Sequence, residues 1–302
     1  MLGEHAVVYG RPALVAGVPR RLTVTLRSGD GPRVDSDRVR DDDRPVQLLV
    51  AVARHFGVAP EEIIATVESE LPAGAGFGSS AALVIAMVRA MATWARQTVT
   101  PSALLRLGRE FEAMFHGRSS GVDPAAAALG GCFWYALEAA GKVEPVAGTD
   151  GGAEPPFVGP VALGAPVELI VARRPGARRT GTAVGGVRDR WLVDPPRYDR
   201  LFDAVGSIVG HGVQALRAGD VAALGATFDA NHAILCDLGV SSAEIDALVS
   251  EARRAGALGA KLTGGGAGGS ILALVRDPGP VCAALQAVGA TTESVRLGGP
   301  TT

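Results

Sequence analysis

Glu70-Leu-Pro-Ala-Gly-Ala-Gly-Phe-Gly-Ser-Ser-Ala-Ala-Leu83 decides how the rest of the chain is read. Pro72 and the closely spaced Gly74, Gly76 and Gly78 argue against a regular element, because glycine reaches conformations with φ > 0. Ser79 and Ser80 follow at once, both good N-cap residues, and the apolar run 81–94 behind them predicts a buried helix. A glycine loop feeding a helix N-terminus presents backbone N–H groups and the positive end of the helix dipole. Together these favour an anion, above all phosphate. A serine-capped loop between a strand and a helix explains the same residues without a ligand, so other parts of the chain must decide.

Upstream, 63–67 reads as a strand entering the loop and 45–56 as a helix with Val46, Leu48, Leu49 and Val52 on its apolar side. Residues 21–27 alternate polar and apolar, the period of a half-buried strand. The charge-rich segment 29–44 reads as a solvated hairpin or loop. Downstream, 102–116 predicts an amphipathic helix ending at Gly117, with Leu104, Leu105, Leu107, Phe111 and Met114 apolar and Glu110 and Glu112 polar. Asp123-Pro124 then precedes a short alanine helix, where an aspartate is a natural N-cap and proline a natural first residue. Strands follow at 132–136 and 167–172, with 141–164 mostly loop. A basic Pro/Gly link, 173–181, marks the expected boundary between domains 1–176 and 177–302.

The second half predicts helices at 198–217, 220–238, 242–255 and 280–288. Strands at 257–263, 270–276 and 291–296 surround a second glycine loop, 264–269. This is an α+β layout, a small antiparallel sheet backed by helices.

Across 302 residues the chain has ample material for a core, with 47% hydrophobic and 20% charged residues. A net charge of -2 provides no basic footprint for nucleic acid. Lys142 and Lys261 are the only lysines in an arginine-rich chain, which reads as compositional bias. Cys132, Cys236 and Cys282 are scattered without CxxC spacing, so neither a disulfide framework nor a zinc site is indicated, and a reducing compartment fits. No run is long and apolar enough for a bilayer span, and the N-terminus lacks a signal pattern, so the expectation is a cytoplasmic protein with no membrane partner. His116 and His232 read as ordinary helix histidines.

Three separated stretches carry a resemblance. Gly3-Glu-His-Ala-Val-Val-Tyr-Gly10, Pro72-Ala-Gly-Ala-Gly-Phe-Gly-Ser-Ser-Ala-Ala82 and Lys261-Leu-Thr-Gly-Gly-Gly-Ala-Gly-Gly269 resemble, in order and spacing, the three motifs of the GHMP kinases. Within that superfamily the chain is most similar to the mevalonate kinase family, through Gly3-Glu-His-Ala-Val-Val8, His116-Gly-Arg-Ser-Ser-Gly-Val-Asp123 and the stretch from Leu238 to Thr263. The resemblance implies a two-domain α+β fold, an N-terminal ribosomal-protein-S5-domain-2-like sandwich with a C-terminal ferredoxin-like domain. It also implies ATP and Mg2+, a small-molecule substrate (mevalonate), phosphorylated at its 5-hydroxyl, and leaves room for a homodimer.

By the same resemblance Asp123 takes the proton of the attacking hydroxyl, a role that needs a carboxylate within hydrogen-bond reach. Ser80 and Glu112 correspond to magnesium ligands, a hydroxyl and a carboxylate that suit a cation drawing its other ligands from phosphate and water. Read alone, Glu112 is a solvated helix position. Pro72, Gly74, Ala75, Gly76, Phe77, Gly78, Ser79, Ser80 and Ala81 form the implied ATP loop, with Gly264, Gly265 and Gly266 closing on it. Glu4, His5 and Thr180 match substrate-side positions, although Glu4-His5 reads in isolation as a surface pair. The third motif departs from the family in placing its alanine late, at Ala267.

The family pattern also carries a lysine-bearing strand ahead of Gly-Glu-His, and counting back from Gly3 runs past Met1. Neither Lys142 nor Lys261 aligns with that lysine. The expectation is a natural start upstream of Met1; the alternative is a weakly active or inactive chain. Two other functions stay open at this level: another GHMP small-molecule kinase such as phosphomevalonate kinase, and a non-catalytic nucleotide-binding sensor. A dinucleotide-binding reading of the loop fails for want of a βαβ context with an acidic ribose partner.

Overall fold

A computed structural model describes residues 1–36, 42–71, 77–116, 119–137, 156–174, 181–266 and 269–298. In chain order these form β1 (Ala13–Ala16), β2 (Leu22–Ser28), β3 (Arg33–Ser36), α1 (Arg44–His55), β4 (Ile63–Ser69), α2 (Ser79–Trp94), α3 (Pro101–His116), α4 (Val122–Leu129), β5 (Cys132–Ala136) and β6 (Phe157–Pro160). There follow β7 (Val167–Arg173), α5 (Gly181–Val193), α6 (Pro195–Ala218), α7 (Val221–Asp237), α8 (Ala243–Arg254), β8 (Gly259–Thr263), β9 (Ser270–Val275), α9 (Pro278–Ala287) and β10 (Thr291–Leu297). Packing divides the chain into two compact units. One is Arg20–Gly130; the other joins Met1–Pro19 to Gly131–Thr302.

In the unit Arg20–Gly130, β4 is the central strand of three, antiparallel to β2 and parallel to β3. Ile63, Ile64, Ala65 and Val67 of β4 are buried. Helix α2 is apolar nearly all round, as expected of a helix covered on several sides. Leu83, Val84, Ile85, Met87, Val88 and Met91 are all buried in it, each worth about 1.5–3 kcal/mol relative to exposure. Helices α1, α3 and α4 and strand β2 supply the cover. Gly108 marks where three helices close. A Cβ there would lie 2.7 Å from Ile85 Cδ1 and 2.9 Å from Pro124 Cβ, so only hydrogen fits without a shift.

The other unit holds two antiparallel sheets, β1-β5-β6 and β10-β7-β9-β8. Strand β9 is buried along its whole length, and its core includes Phe202, Leu235, Leu248, Leu262 and Leu285 from the surrounding helices and β8. Side chains cap the helices here. Asp194 accepts from the Arg197 amide (3.2 Å), Asp220 from Ala223 (2.9 Å) and Ser242 from Ile245 (3.3 Å).

Two strands lie where the sequence reads as hairpin or loop, and one helix lies between the link 173–181 and the expected helix 198–217. Strand β3 falls inside the charged segment 29–44; it is short and polar, as edge strands are, and pairing with β4 rather than an apolar pattern defines it. Strand β6 falls inside 141–164 and likewise exists through its pairing with β5. Helix α5 begins at the end of the Pro/Gly link, with glycines at 181, 185 and 186 lowering its intrinsic propensity. Tertiary contacts hold it: Val187 is buried and Arg190 donates to the Leu238 carbonyl at 2.8 Å.

Candidate active site

The head of α2 is not capped by serine. Gly78 is the N-cap residue, at φ 65° and ψ 36°, and it offers no side-chain cap. Ser79 and Ser80 are the first two helical residues, half-buried, with Ala81 fully buried behind them. The left-handed conformation at 78 suits glycine, and a Cβ there would stand 3.4 Å from Asp123 Cβ and 3.8 Å from its Oδ2. The glycine thus lies directly against the aspartate.

Asp123 is not a cap either. Gly121 occupies that position in α4, and Asp123 sits exposed within the first turn, where a negative charge interacts favourably with the helix dipole. Glu112 projects from α3, and only 4% of it is exposed, contrary to the solvated position its sequence pattern suggests. Its carboxylate accepts a short hydrogen bond from the Ser119 hydroxyl, which in turn accepts from the Gly121 amide at 3.0 Å. Burial, with the charge of Asp123 adding to it, pushes the Glu112 carboxyl up to about 7 against the opposing Ser119 bond. Gly78, Glu112, Asp123 and the first turn of α2 therefore meet where α2, α3 and α4 pack together. Two carboxylates and the Ser119 hydroxyl make a hard-oxygen set, the donor type that suits a divalent cation such as Mg2+.

The second cluster belongs to the other unit. Glu4 and His5 are not a surface pair: His5 is 8% exposed and has φ 62°, an unusual conformation for a non-glycine residue. Glu4 forms an ion pair with Lys261, itself wholly buried on β8. Its other oxygen accepts from Asn231 Nδ2 at 3.2 Å. Burial is the largest single influence on Glu4 and raises its pKa, but the charge and hydrogen bond of Lys261, with smaller contributions beside them, together leave the carboxyl below its ordinary value. The His5 imidazole is pulled down by burial, Glu4 opposing. Gly264, Gly265 and Gly266 form the turn between β8 and β9, with Gly266 pressed against the Val240 carbonyl.

Pro72, Gly74, Ala75, Gly76 and Thr180 lie outside the described residues. Sequence reasoning missed Ser119, Asn231 and Lys261. The third had a signal, since a lysine among so many arginines marks a position where a slim point charge is needed. His232, Cys236 and Asp246 also converge, their potential ligand atoms within 4.8 Å of one another. His232 Nδ1 accepts the Leu262 amide at 3.3 Å, which leaves the proton of the neutral ring on Nε2, facing Asp246 at 3.3 Å.

Comparison with known proteins places this arrangement. Residues 44–131 match the model for the GHMP kinases N terminal domain, and 213–293 match GHMP kinases C terminal. The chain belongs to the GHMP kinase family. A mevalonate kinase of Methanothermobacter thermautotrophicus is 31% identical over 281 residues, covering 90% of this chain and 86% of the relative. One from Aeropyrum pernix is 33% identical over 296 residues, covering 92% and 86%. The crystal structure of L. major mevalonate kinase in complex with R-mevalonate superposes with a TM-score of 0.81 at 26% identity, covering 97% of this chain and 92% of that one. The two-domain α+β kinase fold expected from the sequence is therefore present, and the chain is a mevalonate kinase-like ATP:alcohol phosphotransferase. No helix among the described residues is long and apolar enough to cross a membrane.

Proposed function

We propose that the chain phosphorylates the 5-hydroxyl of mevalonate with ATP, Asp123 accepting the hydroxyl proton. The carrying observation is the juxtaposition of Gly78 with Asp123, beside a buried Glu112 whose nearest charged neighbour in effect is that same aspartate. Phosphoryl transfer asks the protein chiefly to position groups and neutralise charge. The glycine-capped N-terminus of α2 is suited to the triphosphate, and the Asp123 carboxylate to the proton of the attacking alcohol. Ser80 and Glu112 would hold Mg2+, which neutralises phosphate charge when bound. Glu4, His5 and Thr180 are assigned to the substrate side, and the loop 72–81 with Gly264, Gly265 and Gly266 to ATP.

The same reading takes 1–176 and 177–302 as the kinase domains and the cytoplasm as the compartment, which free Cys132, Cys236 and Cys282 fit. A homodimer is part of this proposal, and nucleic acid is not.

The test is ADP release measured by a coupled assay over mevalonate, phosphomevalonate, homoserine and galactose. Turnover should be selective for mevalonate. Phosphorylation of another alcohol in its place would move the chain to a neighbouring GHMP activity. ATP binding without turnover on any of the four would support a sensor.

A further inference from the structure

Glu4 is held from three directions within its own unit. Lys261 donates to one carboxylate oxygen and also to the Leu262 carbonyl at 2.7 Å; Asn231 of α7 donates to the other oxygen, and Thr263 Oγ1 lies 3.5 Å from the first. A buried ion pair that served the fold alone would have its surrounding polar atoms satisfied, because each unpaired one is costly. This one does not. Asn231 Oδ1 and His5 Nε2 are buried without a partner among the described residues, and His5 carries the positive φ. Unpaired buried polar atoms and backbone strain together are features that gather at functional sites.

We propose that Lys261, with Asn231, is a positioning residue that keeps Glu4 a fixed, ionised hydrogen-bond acceptor for the alcohol substrate. The inference rests on the reading that Glu4 meets the substrate. Its chemistry is that a carboxylate accepts from an alcohol hydroxyl, whereas a protonated carboxyl in a dry site presents a donor instead. Lys261 is wholly buried, and lysine brings a compact charge on a thin stem to that place.

The charged and titratable side chains facing the pair are His5 on its own segment and His232 on α7, with Arg190 of α5 facing His5. His5 titrates too, so the test must separate it from Glu4. Steady-state kinetics with mevalonate and ATP, over about pH 5.5–9, would compare the full chain with Lys261→Met, Glu4→Gln, Asn231→Ala and the Glu4→Gln/Lys261→Met double variant, alongside thermal melts.

Lys261→Met should raise the mevalonate KM on the order of tenfold near neutral pH while leaving the ATP KM nearly unchanged. Its activity should recover as pH rises, with the ascending limb moved up by about one unit or more. The double variant should regain the melting temperature, lose that shifted limb and keep the high mevalonate KM. Should Lys261→Met not fold, Asn231→Ala carries the test, since it removes an anchor of Glu4 without stranding a charge. It too should raise the mevalonate KM selectively.

An unchanged mevalonate KM in Glu4→Gln overturns the substrate role of Glu4, and this inference with it. A raised KM in Glu4→Gln together with an unaltered KM and pH profile in Lys261→Met, or an unaltered KM in Asn231→Ala if that variant carries the test, overturns the positioning role alone.

Discussion

Glu112 and Glu4 are both acids withdrawn from water, each in its own unit, and the protein drives them in opposite directions. Around Glu112 the strongest charged influence is another carboxylate, Asp123, which adds to burial, and the group rises to about 7. Around Glu4 it is the ammonium of Lys261, which opposes burial by charge and by hydrogen bond, and the group lies below its ordinary value. Burial alone therefore does not decide the state of a carboxyl; the sign of the nearest charge does. One carboxyl has a second acid beside it and the other has a cation of its own. That division suits a reaction in which a polyanion is handled by one set of groups and an alcohol by another.

The most severe way to probe the comparison is Asp123→Ala. Turnover should fall by about 10²–10⁴-fold, the usual contribution of a positioned general base, with ATP binding retained. The same change removes the like charge beside Glu112, so its pKa should fall towards 4.5, readable by carboxyl NMR. Near-normal turnover would take Asp123 out of the catalytic role.

Next comes the pH dependence of stability. Glu112 has a folded pKa of about 7 against an ordinary 4.5, so between those values the folded chain keeps a proton that the unfolded chain has released. Its contribution is most favourable below the unfolded value and declines as pH rises through 7, by about 3 kcal/mol in the absence of metal. Denaturant melts of the native chain and Glu112→Gln at pH 5 and pH 8 should differ by a slope that the variant lacks. Added Mg2+ should flatten the native slope, and Glu112→Gln should raise the magnesium requirement for turnover. Equal slopes in both forms would return Glu112 to a passive place in the helix.

The smallest effect is expected from Gly78→Ala. A left-handed alanine costs about 1–2 kcal/mol, and its methyl group would also press on Asp123 at 3.4 Å. A lowered melting temperature with a raised ATP KM is expected. Loss of stability with unaltered ATP kinetics would confine the residue to a backbone role.

How much of this was legible beforehand varies by element. Helices α2, α3 and α7 and strands β4, β5 and β9 were readable because apolar spacing reports burial directly. Strands β3 and β6 were not, since pairing rather than pattern defines them. Helix α5 was hidden behind glycines whose cost is met by contacts from elsewhere in the fold. In the site, Asp123 and the glycine loop stood out through the motifs that contain them. Serine capping of α2 and an Asp123 cap on α4 were natural local expectations, but Gly78 and Gly121 take those positions, leaving the serines inside the helix and the aspartate free of cap duty.

From the linear chain alone came the loop before α2, the order of the three motifs and hence the kinase family, because each depends on residues close together in sequence. Only tertiary structure decided that Glu112 is buried beside a second carboxylate and that Glu4 is paired with Lys261, 257 positions away. Desolvation and charge pairing are properties of the space around a group, and the packing that makes this space comes from segments far apart in the chain.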